Sequence, residues 1–335
     1  MSKITRIAYN SSGWQRPTGD ARKGEAAGTY NSDNGFGHED WLFRSEWQID
    51  GWRYAFLQGV NKSREKLIRE AKAFDVTLYT IEPDKRRRYV ADILGLECLD
   101  SRQAKDAVQD FKDLGWYDAM RREIKAIGGN EAMLGNSPQA SDILNVRFRV
   151  DEVVPFPPGT YADADDPITR IPRYVLSDKT TIFRERADKV DTHRKGRDEA
   201  DTFQTYMRKA VAPALCTPEH RRMQAMLLEL LRKEVPGARI VCEEDFIDVT
   251  LETSDRRTLF EIKTDLLPRQ AIRQALGQLL EYAYRREQDN KELDLVIVGR
   301  TKAGPEDSAY LGRLRTDFGL PISYRALALM PTVKA

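Results

Sequence analysis

Across residues 218–299 the apolar positions change period from helical to alternating and back again, and this succession leaves few folds open. Met223, Met226, Leu227, Leu230 and Leu231 fall on one helical stripe that stops at Pro236-Gly237. Residues 238–242, 246–252 and 258–263 are then short strand-like runs. Residues 269–287 have the spacing of a long helix, and 293–299 have the near-continuous apolar character of a buried strand. The order is αβββαβ, with a further helix and strand towards the C-terminus. Such alternation predicts an α/β domain.

Period two decides which side chains of these strands stand together. In residues 246–252, Ile247, Val249 and Leu251 share one face, and Asp248 lies on the other. In residues 258–263, Phe260 and Ile262 share one face while Glu261 and Lys263 share the opposite one. The turn-like Thr253-Ser-Asp-Arg-Arg257 joins the two runs, so antiparallel pairing brings Asp248 close to Glu261 and Lys263. Two carboxylates beside a lysine suit Mg2+, which takes hard oxygen ligands and keeps waters and a substrate phosphate; Mn2+ accepts the same donors. Metal-assisted phosphodiester hydrolysis needs this combination. The ion lowers the pKa of a bound water and offsets charge developing at the phosphate, and the lysine orients that water or helps to deprotonate it.

With these residues the chain resembles the PD-(D/E)XK nuclease superfamily over about residues 218–324. The resemblance implies a restriction-endonuclease-like core of a helix, a three-stranded meander, a helix and another strand, with Asp248 on the second strand and Glu261-Ile-Lys263 on the third as the catalytic set. It extends to the following helix. There Gln274, Gln278 and Tyr282 lie at i, i+4 and i+8, like the Gln-X-X-X-Tyr element of many members, which places Gln278 and Tyr282 at the site. No proline precedes Asp248, a departure at a position that is loose in the family. The family's first helix often adds an acidic residue to the metal site. Glu219 and Glu229 are both available for this; Glu219 is taken with Asp248 and Glu261 as the ligand set, although spacing alone does not choose between them.

The first 55 residues carry a different signal, since four of the five tryptophans, Trp14, Trp41, Trp47 and Trp52, fall there. Asn34-Gly-Phe-Gly-His-Glu-Asp-Trp-Leu-Phe43 leads into Trp47, Trp52, Tyr54 and Phe56. A flipped base is held between aromatic faces and read along its edge, so Trp41, Trp47, Trp52 and Tyr54 are expected to stack a base and His38 and Asp40 to bond it. The alternative is that these rings fill a β-barrel core and His38 caps a turn. The segment resembles PUA-like readers, including EVE-type modules, and the N-terminal regions of some modification-dependent restriction endonucleases. Residues 76–81 and 89–94 read as a hairpin across the charged turn 82–88, and 101–125 as a helical region. Arg147 and Arg149 share one strand face and would extend a basic patch begun by Arg86-Arg87-Arg88.

A chain of 335 residues accommodates two domains. The expected division is an α+β domain with a PUA-like barrel over residues 1–155, a polar connector over 156–195 with Asp163, Asp165 and Asp166, and an α/β nuclease domain over 196–335. Because 54 Lys and Arg nearly cancel 53 Asp and Glu, any nucleic-acid binding must come from local patches. Three scattered cysteines argue against a disulfide framework, and three histidines leave little material for a multi-histidine metal centre. No apolar run approaches a membrane span, so a soluble cytoplasmic protein without a membrane partner is expected.

Together these point to an endonuclease that cuts double-stranded, base-modified foreign DNA, resembling type IV restriction, with a homodimer expected because cutting both strands needs two sites. The competing readings are a non-catalytic protein that binds RNA or a modified base, and a nuclease acting on RNA or repair intermediates.

Overall fold

The computed structural model of the chain describes residues 2–20, 28–135, 139–182, 218–244, 247–284 and 291–329. They form a mixed α+β architecture with two sheets in two compact units, residues 2–182 and residues 218–329. No helix among the described residues is long and apolar enough to cross a membrane.

The first unit runs β1 (Ser2–Ile7), α1 (Tyr30–Asn34), β2 (Gln48–Ile49), β3 (Trp52–Ala55), α2 (Arg64–Arg69), β4 (Phe74–Ile81), β5 (Arg87–Cys98), α3 (Ser101–Asp113), α4 (Trp116–Ala126), α5 (Ala132–Gly135), β6 (Val146–Arg149), β7 (Val153–Pro155), β8 (Ser177–Asp178) and α6 (Lys179–Ile182). Its strands follow the path β2-β3-β6-β5-β4-β1-β8, with β7 on β5. β1 pairs with β4 in parallel, and the other neighbours are antiparallel. The β4–β5 hairpin lies where alternation places it, and its tip turns through Lys85 at φ 72°. The single helical region expected over residues 101–125 is two helices. α3 starts at a reciprocal cap, in which Asp100 accepts from the backbone of Arg102 and Gln103 while Gln103 Oε1 accepts from Asp100 N. Gly115 at φ 71° then breaks the run, a left-handed turn that a side chain would resist.

The expected connector is corrected over its described part, which belongs to the first unit. Tyr89 N donates to Thr160 O, Ala162 N donates to Arg87 O, and β8 pairs with β1. Ile168 is fully buried against Ile4 and Tyr79, and Asp166 both caps the turn at Ile168 and accepts from the Tyr89 hydroxyl. Polar composition concealed a segment whose polar groups are spent on strand edges and caps. Residues 183–195 of that connector lie outside the described residues.

The second unit runs α7 (Pro218–Glu234), β9 (Arg239–Glu244), β10 (Ile247–Glu252), β11 (Arg256–Ile262), α8 (Pro268–Tyr284), β12 (Glu292–Gly299), α9 (Pro305–Phe318) and β13 (Ile322–Ala326). The sheet order is β13-β12-β11-β10-β9. β9, β10 and β11 form an antiparallel meander, and β11, β12 and β13 are parallel, reached through the α8 and α9 crossovers. Met223, Leu227 and Leu231 of α7 pack on Val249, Leu251, Phe260 and Ile262. Ala271, Ala275 and Leu279 of α8 pack with Leu259, Leu295 and Ile297. The sheet is therefore covered on both faces, as parallel strands require.

Candidate metal centre

The centre is built on the antiparallel meander. Val249 lies opposite Cys242 on β9 and opposite Phe260 on β11, so the next residue back, Asp248, stands between Glu243 and Glu261. Cross-strand neighbours share a face, and three carboxylates therefore form a row across three strands. Asp248 is hydrogen-bonded at one oxygen and lies against an imidazole at the other. Oδ2 accepts from Ile262 N at 2.6 Å, and Oδ1 lies 3.1 Å from His220 Nε2 at the start of α7. Gln224, one turn further along, donates from Nε2 to Asp248 O at 2.9 Å and to Glu243 Oε1 at 2.7 Å.

Glu261 is only 3% exposed, and Lys263 Nζ donates to its Oε1 at 2.9 Å. Its Oε2 is buried and has no hydrogen-bond partner. Burial raises the Glu261 pKa and the charge of Asp248 adds to the rise, while Lys263 and His220 oppose it. A buried carboxylate oxygen left without a donor is costly, and it has a physical account when a cation occupies the place of the donor. The donor set fits a divalent cation: carboxylates of Asp248 and Glu261 for a hard ion, Glu243 beside them, and His220 as a nitrogen donor.

Gln278 and Tyr282 share a stripe of α8, with Gln278 Nε2 donating to the Tyr282 hydroxyl at 3.4 Å. Burial, followed by the negative charge of Glu261, raises the Tyr282 pKa, which places its hydroxyl within the field of the centre. The first helix brings a different residue to Asp248 from the acidic ligand expected of it. Glu219 pairs with Arg300 at 3.3 Å, and the α7 residue at Asp248 is His220. Glu229 is exposed and pairs with Lys233 at 2.7 Å. One residue is a 100° turn on a helix, so spacing that admits Glu219 cannot separate it from His220. The legible signal was the polar pair His220 and Gln224 at i, i+4, beside the apolar stripe.

The expected base-binding set is placed differently. Trp41, Trp47, Trp52 and Tyr54 lie together in one hydrophobic core with residues of α3 and α4, which corrects the reading of them as an open cage. Trp52 is 0% exposed, with the Arg147 and Arg149 guanidinium groups 4.2 and 3.9 Å from its ring centre. Trp47 is covered by Trp116, stacked at 5.7 Å, and by Arg44 at 4.2 Å. Trp41 Nε1 donates to Glu123 at 2.7 Å. Rings covered in this way leave no face for a base.

Arg147 also bonds Glu97 at 2.8 Å in the interior, so with Arg149 it extends no surface patch. Asp40 is a structural acceptor as well, taking Asn10 Nδ2 at 2.8 Å and Gly37 N at 3.0 Å. His38 Nε2 lies 2.9 Å from the Tyr30 hydroxyl, its Nδ1 has no hydrogen-bond partner, and burial lowers its pKa to about 4, so the ring is neutral.

No family model matches the chain, and neither a curated protein nor a solved structure matches it.

Proposed function

We propose that the second unit is a metal-dependent phosphodiesterase that cleaves DNA, with the PD-(D/E)XK arrangement its sequence resembles. The observation that carries this reading is Glu261, a buried carboxylate with one oxygen on Lys263 and the other without a partner, in a row with Asp248. Asp248 and Glu261 would hold Mg2+ or Mn2+. When bound, the cation supplies a water of lowered pKa and offsets negative charge on the scissile phosphate.

The chain's own groups have separable tasks. Ile262 N orients the Asp248 carboxylate, with the His220 imidazole beside its other oxygen. Glu261 holds the Lys263 ammonium at the centre, where Lys263 would position the nucleophilic water and face the charge that develops on the phosphate. Tyr282, its pKa raised, stays protonated at neutral pH and offers a donor steadied by Gln278. A cation would be held by the ionised Glu261 carboxylate, whose pKa burial raises, so cation affinity is expected to rise with pH.

Double-stranded DNA is the substrate in this reading. The described residues carry one such centre, so a double-strand cut takes two copies, whereas a nick takes one. A preference for base-modified DNA would fall to the first unit, a PUA-like reader in this reading, whose expected ring set is core; of that set His38 keeps a polar atom unspent. The test is cleavage with Mg2+ or Mn2+ of matched duplexes carrying cytosine, 5-methylcytosine, 5-hydroxymethylcytosine, its glucosylated form or N6-methyladenine, with Asp248→Asn as control. Metal-dependent cutting lost in the control supports the nuclease. Cutting confined to one modified duplex adds a reader to it, and equal cutting of all duplexes removes the reader. A wild-type chain that cuts none of them overturns the DNA nuclease.

A further inference from the structure

Gln270 stands in the first turn of α8 at 2% exposure, and neither Nε2 nor Oε1 of its carboxamide has a hydrogen-bond partner. A buried amide that makes none of its bonds costs free energy, so an unused donor and an unused acceptor on one side chain call for a ligand that supplies both partners. The helix sets where this side chain lies. Ile272, Leu276 and Leu280 lie in the core that α8 shares with Leu311 and Leu314 of α9. Gln270, Gln274 and Gln278 each precede one of these by two residues, which puts them about 160° round the helix from it. On that side Gln278 Nε2 donates to the Tyr282 hydroxyl, and the charges of Glu261, Lys263 and Asp248 reach Tyr282. Three carboxamides thus follow one another about every 6 Å along the flank of α8 that turns to the centre, and Gln270 is the one at the end where β11 leads into the helix.

We propose that Gln270 is a specificity-determining residue that reads adenine in the DNA strand seated along α8, its Nε2 donating to N7 and its Oε1 accepting from the N6 amino group. This rests on the reading of the second unit as one that acts on DNA. The chemistry of the side chain selects the ligand. Phosphate oxygens only accept, so a phosphate would leave Oε1 without a donor, whereas the edge of adenine presents an acceptor and a donor side by side at the spacing of a carboxamide. No hydrogen bond holds the carboxamide inside the protein, so rotation about its side-chain bonds brings it to a base without breaking one. The nuclease unit would then select its cut by sequence on its own account, whatever the first unit recognises.

The test is selection of bound duplexes from a random-sequence library by the full chain without metal, followed by sequencing, for wild type, Gln270→Met and Gln270→Glu. Wild type is expected to enrich adenine at one position by about fivefold or more, the discrimination of one bidentate contact. Gln270→Met keeps the length of the side chain, removes both polar atoms and is expected to lose that preference. Gln270→Glu offers acceptors only and is expected to move the preference from adenine to cytosine, a change that a purely structural role would not produce. Gln270→Met should also melt at or above the temperature of wild type, since it removes two polar atoms buried without partners. A library without a preferred adenine in wild type, or the same adenine preference in Gln270→Met, overturns the proposal. A melting temperature several degrees lower in Gln270→Met makes the carboxamide structural and overturns it too. Because the selection needs no cleavage, an adenine preference lost in Gln270→Met keeps the proposal even if wild type cuts no DNA with Mg2+ or Mn2+, a result that overturns the nuclease alone.

Discussion

Glu39 in the first unit and Glu261 in the second are each 3% exposed, and burial raises the pKa of both, yet their oxygens are used differently. Glu39 Oε2 accepts from Ala8 N and Oε1 from Gln58 N, each at 2.8 Å, so both oxygens end on backbone donors and the carboxylate ties the end of β1 to the chain after β3. Its neighbour Asp40 is satisfied in the same way by Gly37 N and Asn10. Glu261 has an ammonium on one oxygen and no partner on the other. A buried carboxylate that has found its donors holds the fold together. One that keeps an oxygen open while a lysine compensates part of its charge is built to receive something.

Substitutions should separate these two uses. The largest effect is expected from Lys263→Ala or Asp248→Asn, which should lower DNA cleavage by about 10^3-fold at saturating metal while the melting temperature stays near that of wild type. A fall in melting temperature that matches the loss of activity would instead make these residues structural. Trp52→Ala should show the opposite split. Removal of a fully enclosed indole between Arg147 and Arg149 costs about 3–5 kcal/mol of first-unit stability in urea unfolding, with the activity of the folded fraction kept. A Trp52→Ala protein of unchanged stability that loses affinity for a modified duplex would restore the ring as a reader.

The pH dependence of stability tests the tied carboxylates next. The folded pKa values of Glu39 and Asp40 are pushed up to about 7, above those of the unfolded chain. The contribution of this pair is therefore fully present below about pH 4 and is lost as pH rises through about 7, each group being worth on the order of 1–3 kcal/mol. The double variant Glu39→Gln with Asp40→Asn should flatten the stability profile between about pH 4 and 7, the window between the unfolded and folded pKa values of the pair. A profile as steep as that of wild type would assign the slope to other groups. The smallest effect is expected from Tyr282→Phe, which removes one hydroxyl whose pKa the charge of Glu261 helps to raise and should slow cleavage by about tenfold with stability unchanged.

The same contrast explains what could be read from the residues alone. The αβββαβ order of the second unit was legible because each element carries its own apolar period and Pro236-Gly237 marks a stop. Asp248, Glu261 and Lys263 followed from period two and a short connection, both of them local properties. His220 and Glu243 did not follow. The first depends on the rotation of α7 about its axis, and the second on the register of β9, and neither is set by residues close in sequence.

The aromatic segment failed for the same physical reason. Arg147 and Arg149 of β6 and Trp116 of α4 close over Trp52 and Trp47 from far along the chain, and an open cage and a sealed core have the same local sequence. The acidic pair Glu39-Asp40 was similarly ambiguous until Ala8, Asn10, Gly37 and Gln58 were seen to supply its donors.

The proposed metal-dependent nuclease centre at the open oxygen of Glu261 is tested by the cleavage of supercoiled plasmid DNA by the full chain, with and without Mn2+, for wild type, Lys263→Ala and Glu261→Gln. Such a centre converts the plasmid to nicked or linear DNA in wild type only when the metal is present, and in neither variant. Conversion without metal, equal conversion by the variants, or none by wild type at any metal concentration would contradict it.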